Sequence, residues 1–226
     1  MPPSQSRQEL GKNSGVTSEF SQGAHICALY ETEDEQLSIA AAYIADGLRQ
    51  GERCLFVARS VAVLSRFRTA LKRRGIDAQK MLASGALMEG TNAEAHLAEG
   101  RFDSERMLRF LNEGVEAALD AGFKGLRTCG DMSWLLDEAE GSERVVEYEA
   151  LLNQFFQVMR GAGMCLYNRA RLPAGLIDHA IATHSSVSID GRHRPNPFYE
   201  LPAVAVKRAA QPEKVSWKIG ELRRRS

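Results

Sequence analysis

The chain has 226 residues, of which 44% are hydrophobic and 26% are charged, and its formal net charge at pH 7 is zero. This is the composition of an ordinary globular protein, and its apolar runs are too short to span a membrane, so we predict no membrane association. The length predicts one core with tails, which we place as a disordered tail at 1–22, a folded domain at 23–202 and a basic tail at 203–226.

The amino-terminal residues contain no apolar signal-peptide core, which predicts a cytoplasmic location. The four cysteines fit the same prediction, because none belongs to a CxxC pair and each lies in a strand-like apolar run. We therefore expect buried, reduced thiols rather than a zinc ribbon or a redox pair.

Apolar periodicity predicts strands that alternate with helices along the whole chain. In the first half we predict strands at 26–30, 53–58 and 86–90, helices at 34–50, 60–75 and 77–83, and a mobile loop at 91–102. In the second half we predict helices at 103–122, 142–160 and 173–185, strands within 125–130 and 164–170, and a closing strand or strand pair at 186–190. This order predicts an α/β fold with a mainly parallel sheet covered by helices on both faces.

The turn after the first predicted strand carries four acidic residues, Glu31, Glu33, Asp34 and Glu35. Negative charge at the start of a helix complements the helix dipole and repels a phosphate group. Nowhere in the sequence is there a P-loop string, a GxGxxG fingerprint, a GxSxG elbow or an HExxH pair. We therefore predict no nucleotide cofactor and no enzymatic activity.

The histidines give little support for a metal site. His25 and Cys27 lie two residues apart in a predicted strand and face the same side, but they would need further ligands from elsewhere. His179 and His184 lie five residues apart on a predicted helix, so their side chains diverge. We predict no metal site and expect His25 to form a hydrogen bond at the start of its strand.

Polar and aromatic residues follow several predicted strands, where open parallel sheets bind their ligands. These residues are Tyr30, Glu31, Arg59, Asp131, Trp134, Tyr167 and Arg169. Together they would line an amphipathic pocket for a small organic molecule. In the alternative interpretation, the aromatic rings belong to the core and the charged groups pair with one another.

Several stretches resemble the MEDS family, a sensory domain named from methanogens and methylotrophs and from the regulator DcmR. They include HICALYETEDEQL, GERCLFVA, the helix around 147–152, MCLYNR and ATHSSVSIDGRHRPNPFYEL, and extend over about Ala24 to Leu201. The more specific pieces are a GxRxxGxMxW pattern from Gly125 to Trp134 and NPFY from Asn196 to Tyr199.

The resemblance implies a three-layer fold similar to the KaiC and RecA ATPases with the phosphate-binding loop lost. It also implies a sensor of small organic ligands, such as hydrocarbon derivatives, without catalysis. We add Arg127, from the GxRxxGxMxW pattern, to the predicted ligand-binding residues. The chain departs from the family pattern at Asn168, where an aspartate is usual, and at Ser185, where a proline is usual.

The output of such a sensor requires a partner. Only 25 residues follow Leu201, and a helix-turn-helix unit needs about 50. We therefore expect no direct DNA binding and a regulatory partner protein, such as a kinase or sigma-factor system, with homo-oligomerisation as a further option. The alternatives are an interaction scaffold with a filled pocket, a degenerate ATPase that uses Glu31, Asp131 and Arg169 with magnesium, and a redox or light sensor.

Overall fold

The computed structural model describes residues 20–209, and the side chains of residues 20–207. The strands in this part of the chain are β1 His25–Tyr30, β2 Arg53–Ala58, β3 Leu87–Thr91, β4 Leu126–Asp131, β5 Gly161–Asn168, β6 Ser186–Ile189 and β7 Arg192–Pro195. They form a single sheet in the order β3-β2-β4-β5-β1-β6-β7. All neighbouring strands are parallel except β6 and β7, which are antiparallel.

Helices cover both faces of the sheet. They are α1 Glu33–Gln50, α2 Val61–Arg73, α3 Ala78–Ala83, α4 Ser104–Asp120, α5 Val145–Val158, α6 Ala174–Thr183 and α7 Pro202–Ala209. Alternate residues of β1 face opposite sides of the sheet. Ile26 and Ala28 pack with α1 and α2 in a first helix layer, and Cys27 and Leu29 pack with α4, α5 and α6 in a second. Outside the second layer, α7 packs against α5 and α6. The predicted α/β fold is therefore confirmed.

Local sequence signals account for the ends of α1. Thr32 is its N-cap: its hydroxyl accepts from the backbone N–H of Glu35, whose carboxylate accepts in return from the N–H of Thr32. The helix ends at Gly51, where φ is +80°. Glycine adopts this left-handed conformation without strain, whereas a residue with a β-carbon would be strained in it.

The structure extends the predicted elements at several points. The predicted helix 142–160 begins with a short 3₁₀ turn at Ser142–Arg144 before α5, and the closing strand or strand pair is a hairpin of β6 and β7. The packed body also exceeds the boundaries predicted from composition. Phe20, placed in the amino-terminal tail, is buried against Tyr43, and α7 runs into the region predicted as a basic tail. The rest of both predicted tails lies outside the described residues.

Within residues 20–209, every helix is too short or too polar to cross a membrane.

Candidate functional site

The turn between β1 and α1 is where P-loop proteins bind a phosphate with backbone N–H groups. Here Oε2 of Glu35 accepts from the backbone N–H of Glu31 at 2.8 Å and from that of Thr32 at 3.3 Å. Glu33 and Asp34 pair with Arg66 of α2 at 2.5 and 2.7 Å. The protein's own carboxylate thus occupies amides that a phosphate would otherwise use.

Part of the predicted ligand site does assemble at the carboxyl edge of the sheet. Nη2 of Arg169 lies 2.9 Å from a carboxylate oxygen of Glu31 and 3.5 Å from one of Asp190. Burial, followed by the charge of Asp131, raises the pKa of Tyr30 in the same region. Arg59 follows β2 and is exposed. Glu31 and Arg169 therefore pair as the alternative interpretation stated.

Trp134 and Tyr167, two of the three predicted aromatic site residues, lie in the interior. Trp134 is 1% exposed and stacks on Phe102 and His96, with ring centroids 4.7 and 5.5 Å apart. Tyr167 is 2% exposed, and its hydroxyl donates to Glu149 of α5. The two rings are therefore part of the core between the sheet and the second helix layer.

Arg127 does not join the other predicted site residues, because it is near the amino end of β4 rather than at its carboxyl end. It is fully buried, with Nε 2.5 Å from Glu52 and Nη1 3.0 Å from Asp46, and its guanidinium lies over the ring of Tyr43. Nη2 also donates to the carbonyl of Phe20. These contacts tie α1, the β2 start and the amino-terminal segment together, so Arg127 has a structural role.

A buried polar cluster lies between β1, β5, α5 and the end of α6. It consists of His25, Glu149, Cys165 and His184, whose potential ligand atoms all lie within 4.8 Å of one another. Oε2 of Glu149 is 3.1 Å from Nε2 of His25, 3.2 Å from Nε2 of His184 and 3.6 Å from Sγ of Cys165. The two imidazole rings face each other, with centroids 3.9 Å apart. We call these four residues the buried cluster.

The interior environment shifts the pKa values of the buried cluster. Burial lowers the pKa of His25 to about 4, so this ring is neutral at neutral pH. Burial would raise the pKa of Glu149, but its contacts with His184 and His25 outweigh burial and hold that pKa below its usual range. Burial, and then the negative charge of Glu149, raises the pKa of the Cys165 thiol. The cluster therefore contains a carboxylate, a neutral imidazole and a thiol.

Next to the buried cluster, a small, partly enclosed cavity lies between the strands β2, β4 and β5 and the helices α4 and α5. The centre of a water-sized sphere can move through a volume of about 40 Å³ inside it. The residues that line the cavity are mostly apolar. The lining residues are Leu55, Val57, His96, Met107, Phe110, Leu111, Thr128, Cys129, Gly130, Met132, Tyr148, Leu152, Phe156, Gly163, Met164 and Cys165. Cys165 thus belongs to both the cavity and the buried cluster.

An open groove on the outer surface shares part of this wall. Leu55, Val57 and Phe110 line both the cavity and the groove, which continues over Met88 of β3 and along α4. Phe110 is 43% exposed, although it also reaches the cavity lining. These three side chains therefore border both the cavity and the groove.

A family model decides the relationship of the chain to known proteins. The model of the MEDS domain, the methanogen/methylotroph, DcmR sensory domain, matches residues 24–185. The chain belongs to the MEDS family. The match includes all four residues of the buried cluster, as well as every strand from β1 to β5.

Solved structures of similar fold are distant in sequence from this MEDS chain. The flagellar accessory protein FlaH from Methanocaldococcus jannaschii is 15% identical with a TM-score of 0.52, and the alignment covers 76% of each chain. A KaiC-like protein from Pyrococcus horikoshii OT3 is 17% identical with a TM-score of 0.49, covering 74% of this chain and 71% of that one. The FlaH alignment shows a similar fold and nothing about activity. No curated protein matches the chain.

Sequence reasoning missed the buried cluster of this MEDS domain. It considered His25 and His184 separately, each with the wrong neighbour, and assigned Cys165 to the apolar core. Glu149 offered the usable signal, because it directly follows Tyr148 and lies three residues before Leu152 on the buried face of α5. A carboxylate on an apolar helix face requires a buried partner. The sequence alone could not show that α6 and β1 supply that partner.

Proposed function

We propose that this MEDS chain is a cytoplasmic, non-enzymatic sensor that binds a small, weakly polar organic molecule in this cavity and passes the bound state to a partner protein. The observation that supports this function is the cavity itself. Its walls are apolar side chains with a few polar groups, the usual composition of a small-molecule site.

The size of the cavity restricts the ligand. About 40 Å³ open to the centre of a water molecule corresponds to roughly three water molecules, or a molecule of about three to five heavy atoms. Short haloalkanes, alkanols and thioethers have this size and polarity. The thiol of Cys165, the hydroxyl of Thr128 and the ring of His96 are among the polar groups that would distinguish among them.

The packing of α5 supports a route for the signal. One side of α5 lines the cavity through Tyr148, Leu152 and Phe156, and the helix also packs against α7 near the molecular surface. A ligand that binds more tightly to one position of α5 than to another would shift α5, and with it α7, towards that position. The size of this shift is limited by the difference in the ligand's affinity for the two positions. The receiving partner is then a protein that contacts α7.

Two further observations support the non-enzymatic and cytoplasmic parts of the proposal. Glu35 occupies the amides of the β1–α1 turn, which disfavours a nucleotide there. All four cysteines are free and buried, which agrees with a reducing compartment.

Ligand binding can be tested by thermal shift and by the fluorescence of Trp134, which stacks on the cavity residue His96. The probes are dichloromethane, short alkanols and dimethyl sulfide, in sealed cells, with Mg-ATP as a separate arm. Thr128→Leu adds volume inside the cavity, and Thr69→Leu makes the same change on the exposed surface of α2.

We expect at least one probe to stabilise the wild type and the Thr69→Leu variant but not the Thr128→Leu variant. Equal stabilisation of both variants would place binding outside the cavity, contrary to the proposal. If no small organic probe binds, the sensor function is wrong and the scaffold alternative gains support. Tight binding and turnover of Mg-ATP would instead favour the degenerate ATPase.

A further inference from the structure

We propose that the buried cluster of His25, Glu149, Cys165 and His184 is a four-coordinate site for a zinc-class transition metal ion. The four residues come from β1, α5, β5 and the residue after α6, so the ion would join four separate elements of the fold. This site does not depend on the proposed ligand in the cavity, although Cys165 borders both.

Four of the six distances between donor atoms are close to the edges of a tetrahedron around zinc, and the two from Nε2 of His184 to His25 and Cys165 are within 4.8 Å. With bonds of about 2.0–2.1 Å to nitrogen and oxygen and about 2.3 Å to sulfur, the edges are about 3.3 Å between N and O atoms and about 3.6 Å to sulfur. Oε2 of Glu149 is 3.1 and 3.2 Å from the two Nε2 atoms and 3.6 Å from the sulfur. Sγ of Cys165 is 3.7 Å from Nε2 of His25.

The tautomer of His184 leaves a lone pair directed into the cluster. Nδ1 of His184 lies 2.7 Å from the carbonyl oxygen of Ala180, which can only accept, so Nδ1 carries the proton. In the neutral ring Nε2 is then an acceptor, yet it lies 3.2 Å from a carboxylate oxygen, which is also an acceptor. Among residues 20–209, this Nε2 has no hydrogen-bond partner. A cation between the two acceptors resolves the conflict.

The charges of the donor set balance a divalent ion. On binding, the Cys165 thiol loses its proton to solvent, and the thiolate and the Glu149 carboxylate together carry two negative charges. Two neutral imidazoles complete the set, so the site would have no net charge. Neutrality matters because an uncompensated charge in the interior is costly.

Outer contacts hold two of the four donors, Glu149 and His184, in place. The hydroxyl of Tyr167 donates to Oε1 of Glu149 at 2.8 Å, leaving Oε2 as the ligand atom. The side-chain amide of Asn153 donates to the carbonyls of Glu149 and Thr183, which connects α5 to the residue before His184. Proteins commonly orient metal ligands by such contacts.

The donor types indicate the metal. Two imidazoles, one thiolate and one carboxylate in tetrahedral arrangement suit zinc, whereas magnesium and calcium prefer oxygen donors in larger numbers. Four protein ligands leave no open position, which is characteristic of a structural zinc site. Cobalt(II) takes the same geometry and makes the site visible by absorption.

The competing explanation of the same geometry is a second proton on His184, which would form an imidazolium–carboxylate pair with Glu149. The test therefore measures metal directly, on the full untagged chain. The apo protein is prepared with a chelator under reducing conditions, loaded with zinc for elemental analysis and titrated with cobalt(II).

We expect one equivalent of zinc per chain, a raised thermal midpoint, and cobalt spectra with intense tetrahedral d–d bands and a thiolate charge-transfer band. Cys165→Ser should abolish the charge-transfer band and weaken cobalt binding at least about 100-fold, since even outer-contact changes cost 10–100-fold. Cys27→Ser is the matched control, because Cys27 is the buried register partner of Cys165 on β1 and lies outside the cluster. It should keep both features.

Three results would overturn the metal site: less than stoichiometric zinc after loading, a cobalt spectrum without the thiolate band, or a band that survives in Cys165→Ser. If Cys165→Ser does not fold, His184→Gln is compared with His179→Gln, a change in α6 outside the cluster. Loss of cobalt binding in both histidine variants would contradict the assignment. A zinc site without any organic ligand would leave this proposal intact while the sensor function failed.

Discussion

The phenolic oxygen of Tyr167 donates a 2.8 Å hydrogen bond to Oε1 of Glu149 in the interior of the protein. This contact joins β5 to α5 beside the buried cluster. It also explains why Tyr167, although it lies near the end of its strand, does not face a surface pocket. A buried carboxylate oxygen needs a donor, and this hydroxyl supplies it.

Replacing Tyr167 with Phe removes that donor while keeping the ring. We expect a loss of about 1–3 kcal/mol in the free energy of unfolding, because Oε1 of Glu149 would stay buried without a partner. Urea denaturation measures the change. Tyr199→Phe is the control, since Tyr199 is partly exposed, and it should change stability far less. Equal effects in the two variants would contradict the assigned role of the Tyr167 hydroxyl.

Arg127 was predicted to bind ligand, but its contacts indicate a structural role. Arg127→Met should destabilise the protein by about 3–5 kcal/mol, because the buried Glu52 would lose its cationic partner. Removing Arg144 from its exposed pair with Glu147 should cost about 0–1 kcal/mol. Chemical denaturation of the two variants gives the comparison. A normally stable Arg127→Met protein with lost ligand binding would restore the original prediction.

Two glycines should respond oppositely to alanine. A β-carbon at Gly163 would lie 2.6 Å from Cζ of Phe156, whose ring is buried and lines the cavity, so Gly163→Ala should cost about 1–3 kcal/mol by overpacking. At Gly175, in α6, a β-carbon meets no described atom within 4 Å, and alanine should stabilise the protein by about 0.5–1 kcal/mol. Thermal denaturation tests both signs, and a stable Gly163→Ala variant would show that Phe156 moves freely.

The N-caps of α1 and α2 provide another matched pair. Thr32→Ala removes a hydroxyl that accepts from the N–H of Glu35 and should cost about 0.5–2 kcal/mol. Ser60 occupies the N-cap of α2 without a side-chain capping bond, so Ser60→Ala should cost less. The midpoints of urea denaturation give the loss in the free energy of unfolding for each variant, provided that the dependence of this free energy on urea concentration is unchanged. The reverse order would show that the capping box does not stabilise α1.

The architecture was predictable because its signals are local. Leu37, Ala41 and Ile44 recur at helical spacing and are buried as expected, and apolar runs define the strands between helices. A closing strand or strand pair was predicted at 186–190, which contains β6, but β7 at Arg192–Pro195 lies beyond that range, after a turn at Asp190 and Gly191.

The candidate site was less predictable because it depends on contacts between distant segments. Nothing near His25 in sequence indicates that its neighbours are Glu149 and His184, which reach it only through the order β5-β1-β6 and the packing of α5. Likewise, the position of Arg127 along β4 depends on where the strand begins, and its partners Asp46 and Glu52 belong to a different crossover. The apolar periodicity of a helix or strand identifies its buried face, but it does not show which other element packs against that face.

The place of Cys165 in both the cavity wall and the buried cluster sets a thermodynamic condition on the domain. If a ligand in the cavity changes the affinity of the buried cluster for a metal ion, the metal ion changes the affinity of the cavity for that ligand by the same factor. Metal titrations at fixed concentrations of an organic probe, and probe titrations at fixed metal, would therefore have to yield one common coupling constant.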